Sequence, residues 1–337
     1  MIIQAEAPNR VDLAGGTLDI YPLYLFEGGG LTVNLALSVY SRTTLRPRRG
    51  RGVLLRSEDL ALTRRAPSAE RLRLGGPLDL VARAVRWLRP AGGVEVVTSN
   101  EAPRGSGLGA SSALLVTLCA ALARLNGARL TPTALVDLCA NLEAQSLGVP
   151  TGKQDYCAAL HGGVNAIWFD VDGVRVERLA LPPATRRALE HRLLLSYTGI
   201  PHASGATNWG LVKGYIDRQP ATVRHLRAIK TIATAMREAL LVGDLDRVGA
   251  LLGEEWEHRR RLGPGVSTPQ IDRMMAAARR AGALASKLCG AGGGGCMVTL
   301  ARQGRRDAVA AALARAGARQ LPVRIARQGL RVRTGGP

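Results

Sequence analysis

Residues 103–113 read Pro-Arg-Gly-Ser-Gly-Leu-Gly-Ala-Ser-Ser-Ala, and no other stretch limits so tightly what this chain can fold into. Glycines at alternate positions, Gly105, Gly107 and Gly109, let the main chain bend at positive φ and come close to a ligand. Apolar residues at helical spacing follow at once, from Ala113 to Leu125. A glycine turn that feeds a helix presents unpaired N–H groups and the positive end of the helix dipole. Such a cradle suits a polyphosphate. Pro103, Gly105, Ser106, Gly107 and Leu108 are expected to form it, with Gly109, Ala110, Ser111 and Ser112 at the helix entrance. The hydroxyls of Ser111 and Ser112 suit a phosphate oxygen or a Mg²⁺ shell, because Mg²⁺ takes a few hard oxygen ligands. The plain structural alternative is a glycine turn closed by a serine cap. No G-x-x-x-x-G-K-[ST] occurs, so this is not a Walker A loop. Gly290, Gly292 and Gly295 match G-x-G-x-x-G, but they lead into the β-type run Cys296–Leu300 and so fail the dinucleotide fingerprint. Alone, that match reads as a tight connection between strands.

Around the loop the pattern alternates. β-Type runs are expected at Ile2–Ala5, Val11–Ala14, Leu31–Val39, Thr43–Pro47, Gly52–Arg56 and Val94–Val97, with a helix over Leu78–Leu88 that stops before Pro90. Thr131-Pro-Thr opens another helix, to about Gln145. Strands return at Val164–Phe169 and Val174–Val176, around an Asp170-Val-Asp-Gly turn. From Ser204 to Gly282 nearly everything has a helical period. Strands Ala285–Cys289 and Cys296–Ala301, a helix Arg306–Ala316, a strand Pro322–Ala326 and a loose tail from Gly335 complete an α+β layout.

A length of 337 residues accommodates two domains with a groove between them. Apolar residues, 46% of the total, are interrupted regularly by charges and glycines, which argues for a globular chain. No apolar run reaches the ~18 residues of a membrane span, and MIIQAEAPNR lacks the regions of a signal peptide, so a cytoplasmic location is expected. Five cysteines without a C-x-x-C pair, and no histidine at ligand spacing, argue against structural zinc and a disulfide framework; His161 and His202 are read as ordinary polar residues. The net charge of +20 raises nucleic-acid binding as a candidate. Only four of the 46 basic residues are lysines, however, and the arginines are scattered singly and in short groups such as Arg259-Arg-Arg, so no specific nucleic-acid partner is expected.

Three segments in order carry a resemblance: Ala7-Pro-Asn-Arg-Val-Asp-Leu-Ala-Gly-Gly, the 103–113 loop, and Lys287-Leu-Cys-Gly-Ala-Gly-Gly-Gly-Gly-Cys. Together they make the chain resemble the GHMP small-molecule kinases. Gly107-Leu-Gly-Ala-Ser-Ser-Ala and Gly152-Lys-Gln-Asp-Tyr are most similar to the D-glycero-D-manno-heptose 7-phosphate kinase and sugar 1-kinase group. The resemblance implies a two-domain α+β fold: an N-terminal α/β domain over 1–165, a C-terminal ferredoxin-like α+β domain over 166–332, and the site between them. It implies ATP with Mg²⁺, and γ-phosphoryl transfer to a hydroxyl of a monosaccharide or sugar phosphate, the anomeric hydroxyl among the options. A non-sugar alcohol acceptor such as mevalonate or an amino alcohol is the first alternative, and a non-catalytic nucleotide- or RNA-binding protein on the same fold the second. The oligomeric state stays open. Some positions depart from the group's pattern: its Gly-Gly-Gly-Thr-Asp reads Gly15-Gly-Thr-Leu-Asp19, its Gln after the catalytic Asp is Tyr156, and the first loop serine is Ala110.

Carried over residue by residue, Asp155 matches the catalytic aspartate, here read in a turn opened by Gly152, with a turn or helix cap as the structural alternative. Arg10 matches the basic residue that pairs with that aspartate and with transferring charge. Glu143 stands at the separation of the family's Mg²⁺ ligand, beside the apolar Cys139 and Leu142; it joins Ser111 as a metal candidate. Asp19 falls where related kinases bind sugar hydroxyls. Asp12, Gly16, Lys153, Gly292 and Gly293 complete the expected substrate contacts.

Overall fold

A computed structural model describes residues 1–201 and 204–336 of the chain; His202 lies outside them. The first half is built from β1 (Ile2–Ala14), α1 (Leu23–Phe26), β2 (Gly30–Arg48), β3 (Val53–Ser57), β4 (Leu62–Ala66), α2 (Asp79–Leu88), β5 (Gly93–Asn100), α3 (Ala110–Leu125), α4 (Pro132–Leu147), α5 (Gln154–His161), β6 (Val164–Asp170) and β7 (Gly173–Arg178). There follow α6 (Pro183–Arg192), β8 (Leu193–Tyr197), α7 (Ser204–Ile216), α8 (Pro220–Val242), α9 (Leu245–Arg259), α10 (Pro269–Ala281), β9 (Ala283–Leu288), β10 (Cys296–Ala301), α11 (Arg306–Arg315), β11 (Arg319–Leu321) and β12 (Arg331–Gly335).

Eight strands form the first sheet, in the order β12-β1-β2-β5-β3-β4, with β6 on the other end of β2 and β7 beyond it. Only β3 and β5 pair in parallel; the other pairs are antiparallel. Two expected runs merge into β1 and two more into β2, because β-bulges at Pro8/Asn9 and Asp12/Ala14 absorb the breaks in alternation. The expected 165/166 division falls inside β6, and the sheet runs on through β7. Rather than a loose tail, Gly335 ends β12, whose backbone pairs with Ile2–Glu6. The polar β4, Leu-Thr-Arg-Arg-Ala, has no apolar alternation to announce it; it is held by its ladder to β3.

The second sheet has the order β11-β8-β10-β9, antiparallel throughout, with helices between its first and second and between its third and fourth strands. That is the ferredoxin-like β-α-β-β-α-β arrangement expected for the second half. Its last strand is Arg319–Leu321; residues 322–326 leave it and run beside β2 of the first sheet, through the Leu37–Ile325 bridge and the Arg324 amide, which donates to Ser38 Oγ at 2.9 Å.

Two cores flank the first sheet. One lies under α2–α5 and holds Leu45, Val96, Leu115, Leu122 and Tyr156. The other joins Val11, Leu13, Val33 and Leu35 of the first sheet to Leu195, Met236, Leu251 and Val298 of the second half. Strand side chains alternate, so Val11 and Leu13 enter that shared core while Arg10 and Asp12 point to the opposite face.

Candidate active site

The glycine loop takes the shape its sequence requires. Gly105, Gly107 and Gly109 have φ of 66°, 71° and 72°, in the left-handed region that side chains avoid. Gly109 is the N-cap of α3 and no side chain caps that helix, so its first-turn amides are open to a ligand. A Cβ on Gly107 would lie 2.5 Å from the Cys289 carbonyl oxygen, and one on Gly295 2.6 Å from that of Ser106. The Cys296 amide donates to Ser106 O at 2.7 Å. The third glycine segment is therefore the floor on which the loop rests.

Arg10 reaches the loop from β1. Its amide donates to Leu108 O at 2.9 Å and its Nη1 to Gly107 O at 2.6 Å. Its Nε and Nη2 each stand 2.6 Å from Asp155 Oδ1. Asp155 is in the first turn of α5 rather than in a loop, and its carboxylate packs against Gly109, where a Cβ would come within 2.8 Å of Oδ2. Burial raises the Asp155 pKa; the charge and hydrogen bond of Arg10 oppose that rise and Asp12 adds to it.

The loop, Arg10 and Asp155 line one cavity of about 790 Å³. Pro103, Gly105 and Ser106 through Ser112 line it, with Asp155, Arg10, Gly16 and Asp19, which contact one another directly or through Gln154 and Arg259, at what is termed its acceptor end, and Ser57, Pro77 and Leu80 line it as well. Asp19 is buried and accepts from the Gln154 amide at 3.0 Å. Burial, with a smaller push from the nearby Asp155, lifts its carboxyl to about 6 against that hydrogen bond. Gly152 lies against it, leaving no room for a Cβ, which would fall 2.0 Å from Asp19 Oδ2.

Glu143, from α4, accepts hydrogen bonds from the hydroxyls of Ser111, Ser112 and Tyr156. Burial raises its pKa, and the three hydroxyls only partly oppose this. Tyr156, its own pKa pushed well up by burial and then by Glu143, stays a donor. No cation meets Glu143 among the described residues, nor does any group of three or more His, Cys, Asp or Glu there suit a metal ion.

Other expected contacts stand elsewhere. Lys153 turns its Nζ to Asp137 Oδ1 at 2.7 Å and is off the cavity wall. Gly292 and Gly293 pack on Val266, the latter donating to its carbonyl at 2.8 Å, and they too leave the wall to Gly290 and Ala291. Asp12 borders the cavity, but its oxygens are taken by Lys287 Nζ at 2.6 Å and the Gly290 amide at 3.1 Å. Burial would raise its pKa, yet Lys287, Arg259 and Arg10 hold it at about 2. Gly16 is on the wall, where a Cβ would meet Asp12, Arg259 and Gln154. Nothing in the sequence singles out Arg259: it is the first of three consecutive arginines, yet it is buried, with Glu255, behind Gly16 and Thr17. Only its place at the end of an amphipathic helix distinguishes it from its neighbours.

Family models agree with this geometry. The N-terminal domain model of the GHMP kinases matches residues 79–163 and the C-terminal one residues 236–319. A D-glycero-alpha-D-manno-heptose 7-phosphate kinase of Campylobacter jejuni is 30% identical over 301 residues, 88% of each chain. A bifunctional fucokinase/GDP-fucose pyrophosphorylase of Arabidopsis thaliana is 25% identical over 90% of this chain, which spans 30% of that longer protein. The solved structure of a D-glycero-D-manno-heptose 1-phosphate kinase from Bacteroides thetaiotaomicron superposes with a TM-score of 0.81 at 25% identity, covering 99% of this chain and 100% of that one. With its loop, its floor and its ferredoxin-like half all in place, the chain belongs to the GHMP kinases.

Proposed function

We propose that this protein transfers the γ-phosphoryl group of ATP to a hydroxyl of a monosaccharide or sugar phosphate. The observation that carries this reading is the Arg10–Asp155 pair, fastened to Gly107 and packed on Gly109 at the mouth of an uncapped helix N-terminus. In phosphoryl transfer most of the catalysis is positioning and electrostatics. The loop amides and the α3 terminus hold the triphosphate. Asp155 accepts the proton of the acceptor hydroxyl as it attacks the γ-phosphorus. Arg10 keeps that carboxylate ionised and faces the transferring charge. Asp19, Thr17 and Gln154 supply polar walls suited to a polyhydroxyl acceptor, and the sugar kinases among the relatives support the same acceptor class over mevalonate.

Glu143 and Ser111 are a hard oxygen pair in the cavity, and a buried carboxylate without a cation fits a site for Mg²⁺. Bound there, Mg²⁺ would neutralise phosphate charge. Glu143→Gln is expected to raise the Mg²⁺ concentration needed for half-maximal rate while the protein stays folded; an unaltered titration would remove the metal role. The reading as a whole is tested by offering ATP with a panel of sugars, sugar phosphates, mevalonate and amino alcohols, following ADP release and reading the product by phosphorus NMR. A phosphorylated sugar supports it. Turnover of mevalonate or an amino alcohol alone, or salt-sensitive RNA binding without ADP release, would replace it.

A further inference from the structure

Thr17 is a β-branched residue with φ of 78°, inside the left-handed region where such side chains are outliers. It is buried, and it lies in the turn Gly15–Asp19 that leads to the Asp19 carboxylate. A conformation of this kind persists only when its surroundings impose it. Within the turn, the Leu18 amide donates to Gly15 O and the Ile20 amide to Thr17 O at 3.1 and 3.2 Å. The end of the turn is tied by the Lys153 and Gln154 amides, which donate to Asp19 O and Oδ2 at 3.2 and 3.0 Å, while Gly16 and Thr17 are held from the other half of the molecule: Arg259, at the end of α9, donates from Nη2 to Gly16 O at 2.9 Å and from Nη1 to Thr17 Oγ1 at 3.3 Å.

Arg259 is itself fixed. Its Nε and Nη2 donate to Glu255 Oε1 at 2.8 and 2.5 Å, and Glu255 Oε2 is 3.0 Å from Lys287 Nζ, which in turn holds Asp12. The four side chains are nearly inaccessible to solvent and balance in charge. Four of the five N–H groups of the guanidinium are engaged, three of them against Glu255 and Gly16, so its plane has little freedom. Its edge also borders the cavity beside Gly16 and Asp19.

We infer that Arg259 is an acceptor-positioning residue: from the C-terminal half it locks the Gly16–Thr17 turn in its left-handed conformation and so sets the place of Asp19 and the width of the acceptor end. This rests on the acceptor end being where the sugar binds. The guanidinium acts on the acceptor through the turn and makes no hydrogen bond to the glycine loop.

Removing the guanidinium outright would leave Glu255 without its charge partner, so the test uses Arg259→Lys with Thr17→Gly as the second arm. Glycine adopts φ of 78° without strain, and a turn bearing it no longer needs the clamp. In folded Arg259→Lys the KM for the acceptor is expected to rise about tenfold or more, with ATP affinity measured by calorimetry nearly unchanged. Amides of residues 15–20 should exchange hydrogen faster than in the parent. In the Thr17→Gly background the same lysine substitution should cost distinctly less, a non-additivity that a merely structural arginine would not produce. Parent-like exchange and acceptor KM in Arg259→Lys, equal losses for ATP and acceptor, or strictly additive effects would each overturn the inference. Should the parent phosphorylate no sugar, the acceptor assignment falls, and the exchange comparison between Arg259→Lys with and without Thr17→Gly still decides whether the clamp exists.

Discussion

Asp19 is a buried carboxylate and Asp155 a partly buried one; both have raised pKa values, and their neighbours suit them to the different tasks proposed for them. Asp155 has a guanidinium that favours its ionised form, as a base needs; Asp19 has one backbone amide and a like charge nearby, and titrates at about 6. Asp155→Asn keeps the shape and removes the proton acceptor, so kcat is expected to fall by ~10²–10⁴-fold in an ADP-release assay, with thermal unfolding used to confirm the fold. Near-normal turnover would move the base elsewhere. For Asp19 the ionised form is the better partner for sugar hydroxyls, so kcat/KM for the acceptor should fall as pH drops through about 6. In Asp19→Asn that limb should vanish from a profile that is lower throughout. The same raised pKa has the opposite sign for stability: the folded state binds the proton more tightly than the unfolded chain, so this group's contribution declines as pH rises from the ordinary aspartate range to about 6. The sequence pointed to Arg10 and Asp155 through short motifs that set them beside glycines, and to Glu143 through its separation from Asp155, and all three line the cavity. Thr17 and Arg259 were not legible there, because a left-handed φ and a contact across 242 positions leave no periodic trace.

Between elements, the loop, α3 and α5 meet through backbone atoms that only glycine exposes. Gly109 faces Asp155, Gly107 faces Cys289 and Gly295 faces Ser106, each too close for a Cβ. The glycine spacing was therefore readable as a close approach, while what it approached was not: Gly292 and Gly293, expected at the substrate, pack on Val266, and Gly295 and Cys296 of the same segment support the loop at Ser106. Gly109→Ala should show the difference between a local and a global role. The new methyl would press on the Asp155 carboxylate at a left-handed φ, with a strain of roughly 1–2 kcal/mol. That is small beside the 5–15 kcal/mol or so of a typical domain, so the protein should fold. Yet displacing the base by a fraction of an ångström should lower kcat about a hundredfold. A variant with parent-like kcat would mean that Asp155 tolerates a looser seat than its packing indicates.

Across the whole molecule, two halves that the sequence separated by composition and pattern turn out to share a core and a buried charge chain. Val11, Leu13 and Leu35 pack with Met236, Leu251 and Val298, and Lys287 on β9 lies between Asp12 of β1 and Glu255 of α9. A large apolar interface of this kind works against free movement of one half on the other and predicts one cooperative unfolding transition. Lys287→Met tests both statements. It keeps the volume but leaves two buried carboxylates without their shared cation, which should cost about 3–5 kcal/mol at neutral pH. The pH dependence then carries a sign. In the parent, Asp12 is held at about 2, so its stabilising contribution is complete above the ordinary aspartate pKa and is lost only as pH falls toward 2. In the variant the cation that lowered it is gone and burial raises it, so acid relieves the buried charge. The destabilisation measured by urea unfolding should therefore shrink between pH 7 and pH 5, along a single transition at both. A constant loss across that range would mean that Asp12 is held down mainly by Arg10 and Arg259, and two separate transitions would mean that the halves do not unfold through their common core.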